Sequence, residues 1–184
     1  QKTSTEGPDY FHKVVDCQWA CPAHTPVPEY IRLIADGRYS DAYMVNWKSN
    51  VFPGVLGRTC DRPCEPACRR GRVEDEPVAI CRLKRVAADN KDDVSGRMPL
   101  PAANRNGKRI ALIGAGPASL TVARDLAPLG YDLVVYDADA KAGGIPSDAH
   151  GTGDGIPHER MLRQAAALWR YNAAANAVDA PLRS

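Results

Sequence analysis

No stretch of this sequence approaches the roughly 20 apolar residues that a membrane-spanning helix needs, so a membrane is not an expected partner. The opening residues, QKTSTEGPDYFHKVVD, lack the apolar centre of a secretory signal. The expected setting is therefore soluble and cytoplasmic. Lys and Arg form no run long enough to follow a phosphate backbone, and the net charge is only +2, which argues against nucleic acid as a partner. Internal repeats are absent, and compositional bias is confined to an alanine-enriched stretch between Ala165 and Ala180. The chain is not wholly disordered either, because 44% hydrophobic and 25% charged residues fall in the globular range.

What the sequence does have is cysteine. Six cysteines lie between Cys17 and Cys81, and none lies outside that span. Cytosolic thiols stay reduced, so this clustering points to metal ligation rather than disulfides. With 184 residues, the chain is longer than one typical domain of about 100 to 150. The segment DNKDDVSGRMPLPAANRNG, Asp89 to Gly107, is polar and rich in Pro and Gly, as surface connections are. The expected organisation is a helical domain at 1–90, a linker at 91–107 and a second unit at 108–184.

Helices are expected around the cysteines. In PVPEYIRLIADG, Pro28 suits a first helical turn, Tyr30, Ile31 and Ile34 share a face, and Gly37 can end the helix. Ser40 can cap a following helix, SDAYMVNWK. Pro77 suits another first turn, and Ile80, Leu83 and Ala87 recur on one side of VAICRLKRVAAD.

Cys17 and Cys21 are separated by three residues, Pro22 follows, and Cys60, Cys64 and Cys68 repeat that spacing in CDRPCEPAC. A four-iron cluster needs about four thiolates, commonly from a tight loop plus one distant Cys that is often followed by Pro. A lone cysteine is more often a small buried hydrophobe, but two such groups are not. Zinc also uses close cysteine pairs and stays open as a competitor, although three evenly spaced thiols suit it less well. Arg58, Arg62, Arg69, Arg70, Arg72 and Arg82 neighbour the cysteines in sequence. Their charge either favours the reduced, more negative form of a cluster or merely solvates the surface.

Lys108 to Asp137, KRIALIGAGPASLTVARDLAPLGYDLVVYD, reads as strand, glycine turn, helix and second strand. Gly114 permits a tight turn, Gly116 lets the backbone approach a pyrophosphate, and Pro117, Ala118 and Ser119 open a helix whose free N–H groups face phosphates. Ser119 replaces the usual third glycine but is still small. Asp137 can accept a ribose hydroxyl, and Gly143 and Gly144 follow it. Spacing alone indicates a dinucleotide; the alternative is a parallel-sheet unit with an empty turn.

Taken together, DCQWACPAHTPVPEYIRLIADGRYSDA, GRTCDRPCEPACRRG and EPVAICRLKRVAAD resemble the N-terminal iron-sulfur domain of the glutamate synthase small subunit, a domain that also opens dihydropyrimidine dehydrogenase. GAGPAS and the later Gly-Gly resemble the flavin-binding Rossmann domain that follows it there. The resemblance implies an α/β chain, with a mainly helical 4Fe-4S domain followed by a partial Rossmann-like βαβ unit. It implies FAD, NAD(P)H as hydride donor, and clusters that turn two-electron into one-electron chemistry.

The relatives hold two clusters, one using positions like Cys17 and Cys68, the other positions like Cys21, Cys60 and Cys64. This sequence departs from them, because residues 1–16 contain no cysteine, whereas two all-cysteine clusters need eight. The fourth ligand of the second cluster would fall near Lys84, a poor ligand. Cys81 lies one helical turn earlier and shares a face with it. The expected ligands of one 4Fe-4S cluster are therefore Cys21, Cys60, Cys64 and Cys81, with Cys17 and Cys68 left either for a second cluster completed elsewhere or as free thiols.

After Gly144 only GIPHER still resembles the family. These residues hold neither a complete flavin domain nor a nicotinamide domain, so hydride transfer by them alone is not expected. A fragment, a fold completed by a partner subunit, and a docking piece of a larger complex all remain open. The expected function is electron transfer between FAD and a 4Fe-4S cluster within an NAD(P)H-linked oxidoreductase that has a catalytic or flavoprotein partner subunit. The alternative is a metal-stapled docking module without redox activity.

Overall fold

The computed structural model describes residues 15–100 and 102–137. The chain divides between Val94 and Ser95 into two units. Among the described residues no helix is long and apolar enough to cross a membrane.

The first unit is helical: α1 (Asp16–Ala20), α2 (Val27–Ala35), α3 (Tyr39–Ser49), α4 (Pro53–Thr59) and α5 (Ile80–Asn90), with a 3-10 turn at Arg69–Arg72. In α2, Pro28 occupies the first turn as expected, and Val27 and Tyr30 are buried. Gly37 ends the helix with φ of +72°. The Arg38 N–H reaches the Leu33 carbonyl at 2.8 Å and the Gly37 N–H reaches the Ile34 carbonyl at 3.0 Å, the paired bonds of a Schellman turn.

Two expected helix starts are corrected. α3 begins at Tyr39 with Arg38 at its cap position, and no side chain caps it. The Ser40 hydroxyl instead accepts the Asp92 N–H at 3.0 Å and donates to its carboxylate at 3.1 Å, because the Schellman turn leads the chain straight into the next helix. Pro77 lies outside α5, which starts three residues later. There the Glu65 carboxylate accepts the Cys81 N–H at 3.1 Å, satisfying a first-turn donor from outside the helix.

α4 was not expected from PGVLGRT, whose two glycines weaken a helix. Its packing explains them: a Cβ on Gly57 would lie 3.0 Å from the backbone nitrogen of Arg85, so glycine lets α4 approach α5. Tyr30, Ile80, Ala87 and Cys64 form the core of this unit, with Leu83 packed against it. The Tyr30 hydroxyl donates to the Ile80 carbonyl at 3.1 Å, tying α2 to α5.

The second unit contains β1 (Arg109–Ile113), α6 (Pro117–Leu126) and β2 (Asp132–Tyr136). The strands are parallel, with Arg109 opposite Asp132 and Ile113 opposite Tyr136. Leu112 and Leu133 pack on Ala123 and Ala127, so α6 covers one face of the sheet. Ile113 points away from it and is 80% exposed. A parallel pair joined through a helix is the βαβ unit expected from the sequence. Gly130, with φ of +84°, turns the chain into β2, and a Cβ there would lie 2.7 Å from the Asn104 carbonyl.

Candidate metal centre and nucleotide turn

All six cysteines are free thiols that sit at the ends of elements or between them. Cys17 lies in α1, Cys21 follows its last residue and Cys60 follows α4. Cys64 is buried in the loop after α4, Cys68 precedes the 3-10 turn, and Cys81 lies in the first turn of α5. The Cys81 thiol meets those of Cys64 and Cys60, and the charge of Cys21 is felt at Cys64. The charge of Cys68 opposes the ionisation of Cys17.

The four-thiol group is electrically uneven. The thiol contact with Cys64, reinforced by burial, holds the proton on Cys81 and pushes its pKa up. The same contact lowers Cys64, against burial and with help from Lys84. Burial raises Cys60, offset in part by the Arg62 N–H, which lies 3.4 Å from its sulfur. Burial also works against ionisation of Cys21, but bonds from the Thr25 hydroxyl and from the N–H groups of Thr25 and Ala23 outweigh it and lower the pKa.

Thr25 owes that role to α3. Its oxygen accepts from the Ser49 hydroxyl at 3.0 Å and from the Asn50 amide at 3.3 Å. The Cys21 thiol donates to the same oxygen at 3.5 Å, and the ionised sulfur can accept the Thr25 proton instead, which favours the thiolate. Thr25 is 1% exposed, so this donor works without competition from water.

Most of the arginines near the cysteines in sequence are neutralised. Arg58 pairs with Asp89 at 2.8 Å, Arg69 and Arg72 pair with Asp16 at 2.9 and 3.5 Å, and Arg70 pairs with Glu74 at 2.6 Å. The buried cation of the site is Lys84, which was read in the sequence only as a poor ligand. It falls at i+4 from Ile80 and precedes Ala87 by three, so it lies on the apolar stripe of α5, which is the signal that could have revealed its burial.

Thiols of this kind ligate both zinc and four-iron clusters. One zinc at ~2.3 Å from each sulfur would hold the sulfurs roughly 3.8 Å apart. Among the described residues no group of three or more His, Cys, Asp or Glu side chains is arranged to hold one metal ion. A four-iron cluster is wider and spreads its ligands further. The donors present, thiols with N–H and hydroxyl partners beside them, are those that ligate and tune such clusters.

In the second unit, Gly114 has φ of +87° and its N–H donates to the Tyr136 carbonyl at 2.7 Å. Gly116 sits at the cap of α6, Pro117 opens the helix, and Ala118 and Ser119 complete its first turn. Among the described residues a Cβ on Gly114 or Gly116 would meet nothing within 4 Å, which leaves room over the turn. The Ser119 hydroxyl donates to the Ile113 carbonyl at 3.4 Å, binding helix to strand where a third glycine usually sits. The Asp137 carboxylate accepts the Ala115 N–H, so the acid and the turn are adjacent. Gly143, Gly144, GIPHER and the alanine-rich stretch lie outside the described residues.

The comparisons with known proteins agree with both halves. Residues 12–95 match the family of dihydropyrimidine dehydrogenase domain II, 4Fe-4S cluster. Residues 112–178 match an NAD(P)-binding Rossmann-like domain. The chain thus carries a 4Fe-4S domain of that family followed by a Rossmann-like domain.

Its relatives include the NADP(+)-dependent formate dehydrogenase subunit beta of Moorella thermoacetica, 38% identical over 169 residues, which are 80% of this chain and 23% of that protein. The NADPH-Fe(3+) oxidoreductase subunit beta of Geobacter sulfurreducens is 36% identical over 141 residues, 74% of this chain and 21% of that protein. The glutamate synthase [NADPH] small chain of Escherichia coli K12 is 35% identical over 133 residues, 70% and 28% respectively. The chain therefore spans roughly a quarter of the length of these relatives.

Proposed function

We propose that this chain passes single electrons between a 4Fe-4S cluster and FAD, as the electron-transfer part of an NAD(P)H-linked oxidoreductase. The observation that carries the reading is the match of residues 12–95 to a 4Fe-4S cluster domain, and the mutual influence of the Cys60, Cys64 and Cys81 thiols, with that of Cys21 on Cys64, supports these four as its ligands. A bound cluster supplies one-electron steps, and FAD supplies the link to two-electron hydride chemistry.

The residues divide this work. Cys21 and Cys64, whose thiolates are favoured, would hold the cluster together with Cys60 and Cys81, whose protons would be lost on ligation. Glu65 fixes the first turn of α5 and so the position of Cys81. Cys17 and Cys68 offer two further thiols, half the set of a second all-cysteine cluster. In the second unit, the turn from Gly114 to Ser119 and the N-terminus of α6 receive the pyrophosphate, while Asp137 receives the ribose. A catalytic or flavoprotein partner subunit completes the system, in keeping with relatives named as subunits or small chains.

Anaerobic reconstitution tests the metal assignment. Iron and sulfide near four each per chain, with a broad visible band that bleaches with dithionite, are expected. Zinc without a chromophore would support a docking module instead. Flavin released on denaturing a complex with its partner supports FAD, whereas released NAD(P) reassigns the turn.

A further inference from the structure

We propose that Lys84 is the buried counter-cation of the four-thiol site and stabilises its electron-loaded form. The inference rests on Cys21, Cys60, Cys64 and Cys81 holding the cluster, and concerns how that cluster is tuned. Lysine is almost never fully buried unless paired. Lys84 is 5% exposed, on the inner face of α5 with Ile80, Cys81 and Ala87.

No carboxylate forms an ion pair with it among the described residues. Acids of this unit have other partners: Asp89 has Arg58, Asp16 has Arg69 and Arg72, Glu74 has Arg70, and Glu65 accepts the Cys81 N–H. The opposing charge around Lys84 is sulfur. Cys81, 3% exposed, lies one helical turn away on the same buried face of α5.

The direction of the effect follows from charge. When one electron arrives from a reduced flavin or from dithionite, the cluster is reduced and the site becomes one unit more negative. A fixed positive charge beside it stabilises that product, and no proton need follow the electron. Lys84 therefore raises the reduction potential. Arg69, Arg70 and Arg72 act less, because their exposed, ion-paired charges are screened by water and salt. The proposal also assigns a role to a residue that cannot replace a ligand: Cys81 supplies the thiolate one turn earlier, and Lys84 offsets its charge.

The test is an anaerobic reductive titration of the reconstituted full chain, followed by electron paramagnetic resonance. K84M and K84Q should be at least tenfold less reduced than wild type at the same applied potential, about 59 mV for one electron. K84R should titrate with wild type. The shift should persist at about 1 M salt, where the Debye length is ~3 Å and surface charges no longer act. K84M or K84Q with full iron and sulfide and an unchanged potential overturns the proposal. Loss of iron in both neutral variants but not in K84R supports it, since the charge is then needed to hold the site. Loss in K84R as well overturns it in favour of a packing role. Wild-type protein without iron or sulfide would instead defeat the cluster assignment itself.

Discussion

The two units build their sites in opposite ways. The nucleotide turn is local: one strand, three residues and the start of a helix supply Gly114, Gly116 and Ser119, and only Asp137 comes from further on, just after β2. The thiol site is assembled over distance, from the end of α1, the end of α4, a loop and the start of α5. A local site depends on a few backbone angles. A distributed one depends on every helix that carries a ligand and on what surrounds it.

Single substitutions can break this contrast. Cys64→Ser should remove nearly all bound iron while leaving flavin retention by the partner complex intact. Gly116→Ala should do the reverse, because its Cβ meets no protein atom but would occupy the space over the turn. Metal analysis and flavin release on the same two samples decide the matter, and parallel loss of both groups in either variant would show that the sites are not separate.

Backbone constraints come next in size. Gly130→Ala forces a side chain into a left-handed conformation and against the Asn104 carbonyl, and should cost about 2 kcal/mol or more in chemical denaturation of the second unit. Gly57→Ala should cost about 1 to 3 kcal/mol in the first, by pushing α4 off α5.

Thr25→Val keeps the shape of the side chain but removes the donor to Cys21 and strands Ser49 and Asn50. The potential should become more negative and stability should fall by about 1 to 3 kcal/mol, with Thr25→Ser restoring both. An unchanged potential in Thr25→Val would mean that the hydroxyl does not act on the sulfur.

The smallest effect concerns Asp16. The hydrogen bond from Arg69 holds its carboxyl below the ordinary range, so the stability it adds is present above the unfolded carboxylate pKa and is lost as pH falls through the folded one. The difference in Tm between wild type and Asp16→Asn should therefore shrink below about pH 4. A difference that grows there would reverse the sign.

The sequence revealed what repeats or is contiguous. The CDRPCEPAC spacing, the GAGPAS turn and the two ends of α2 could be read because a few neighbouring residues determine each one. Ser40 and Pro77 misled because a tertiary partner, Asp92 in one case and Glu65 in the other, decided what each helix start required. α4 was missed because its glycines serve the approach to Arg85 rather than helix propensity. Thr25 gave no local sign at all, since its role is set by Ser49 and Asn50, more than twenty residues away. The arginines were prominent in sequence but mostly neutralised in space, whereas Lys84 was inconspicuous and buried.

The grouping of the thiols is tested most directly by iron content in two reconstituted variants, the Cys17→Ser/Cys68→Ser double substitution and Cys81→Ser. A reducible centre with about four irons should survive in the first and be lost in the second. Retention of that centre in Cys81→Ser, with loss in the double variant, would place the cluster on the other pair and contradict the account.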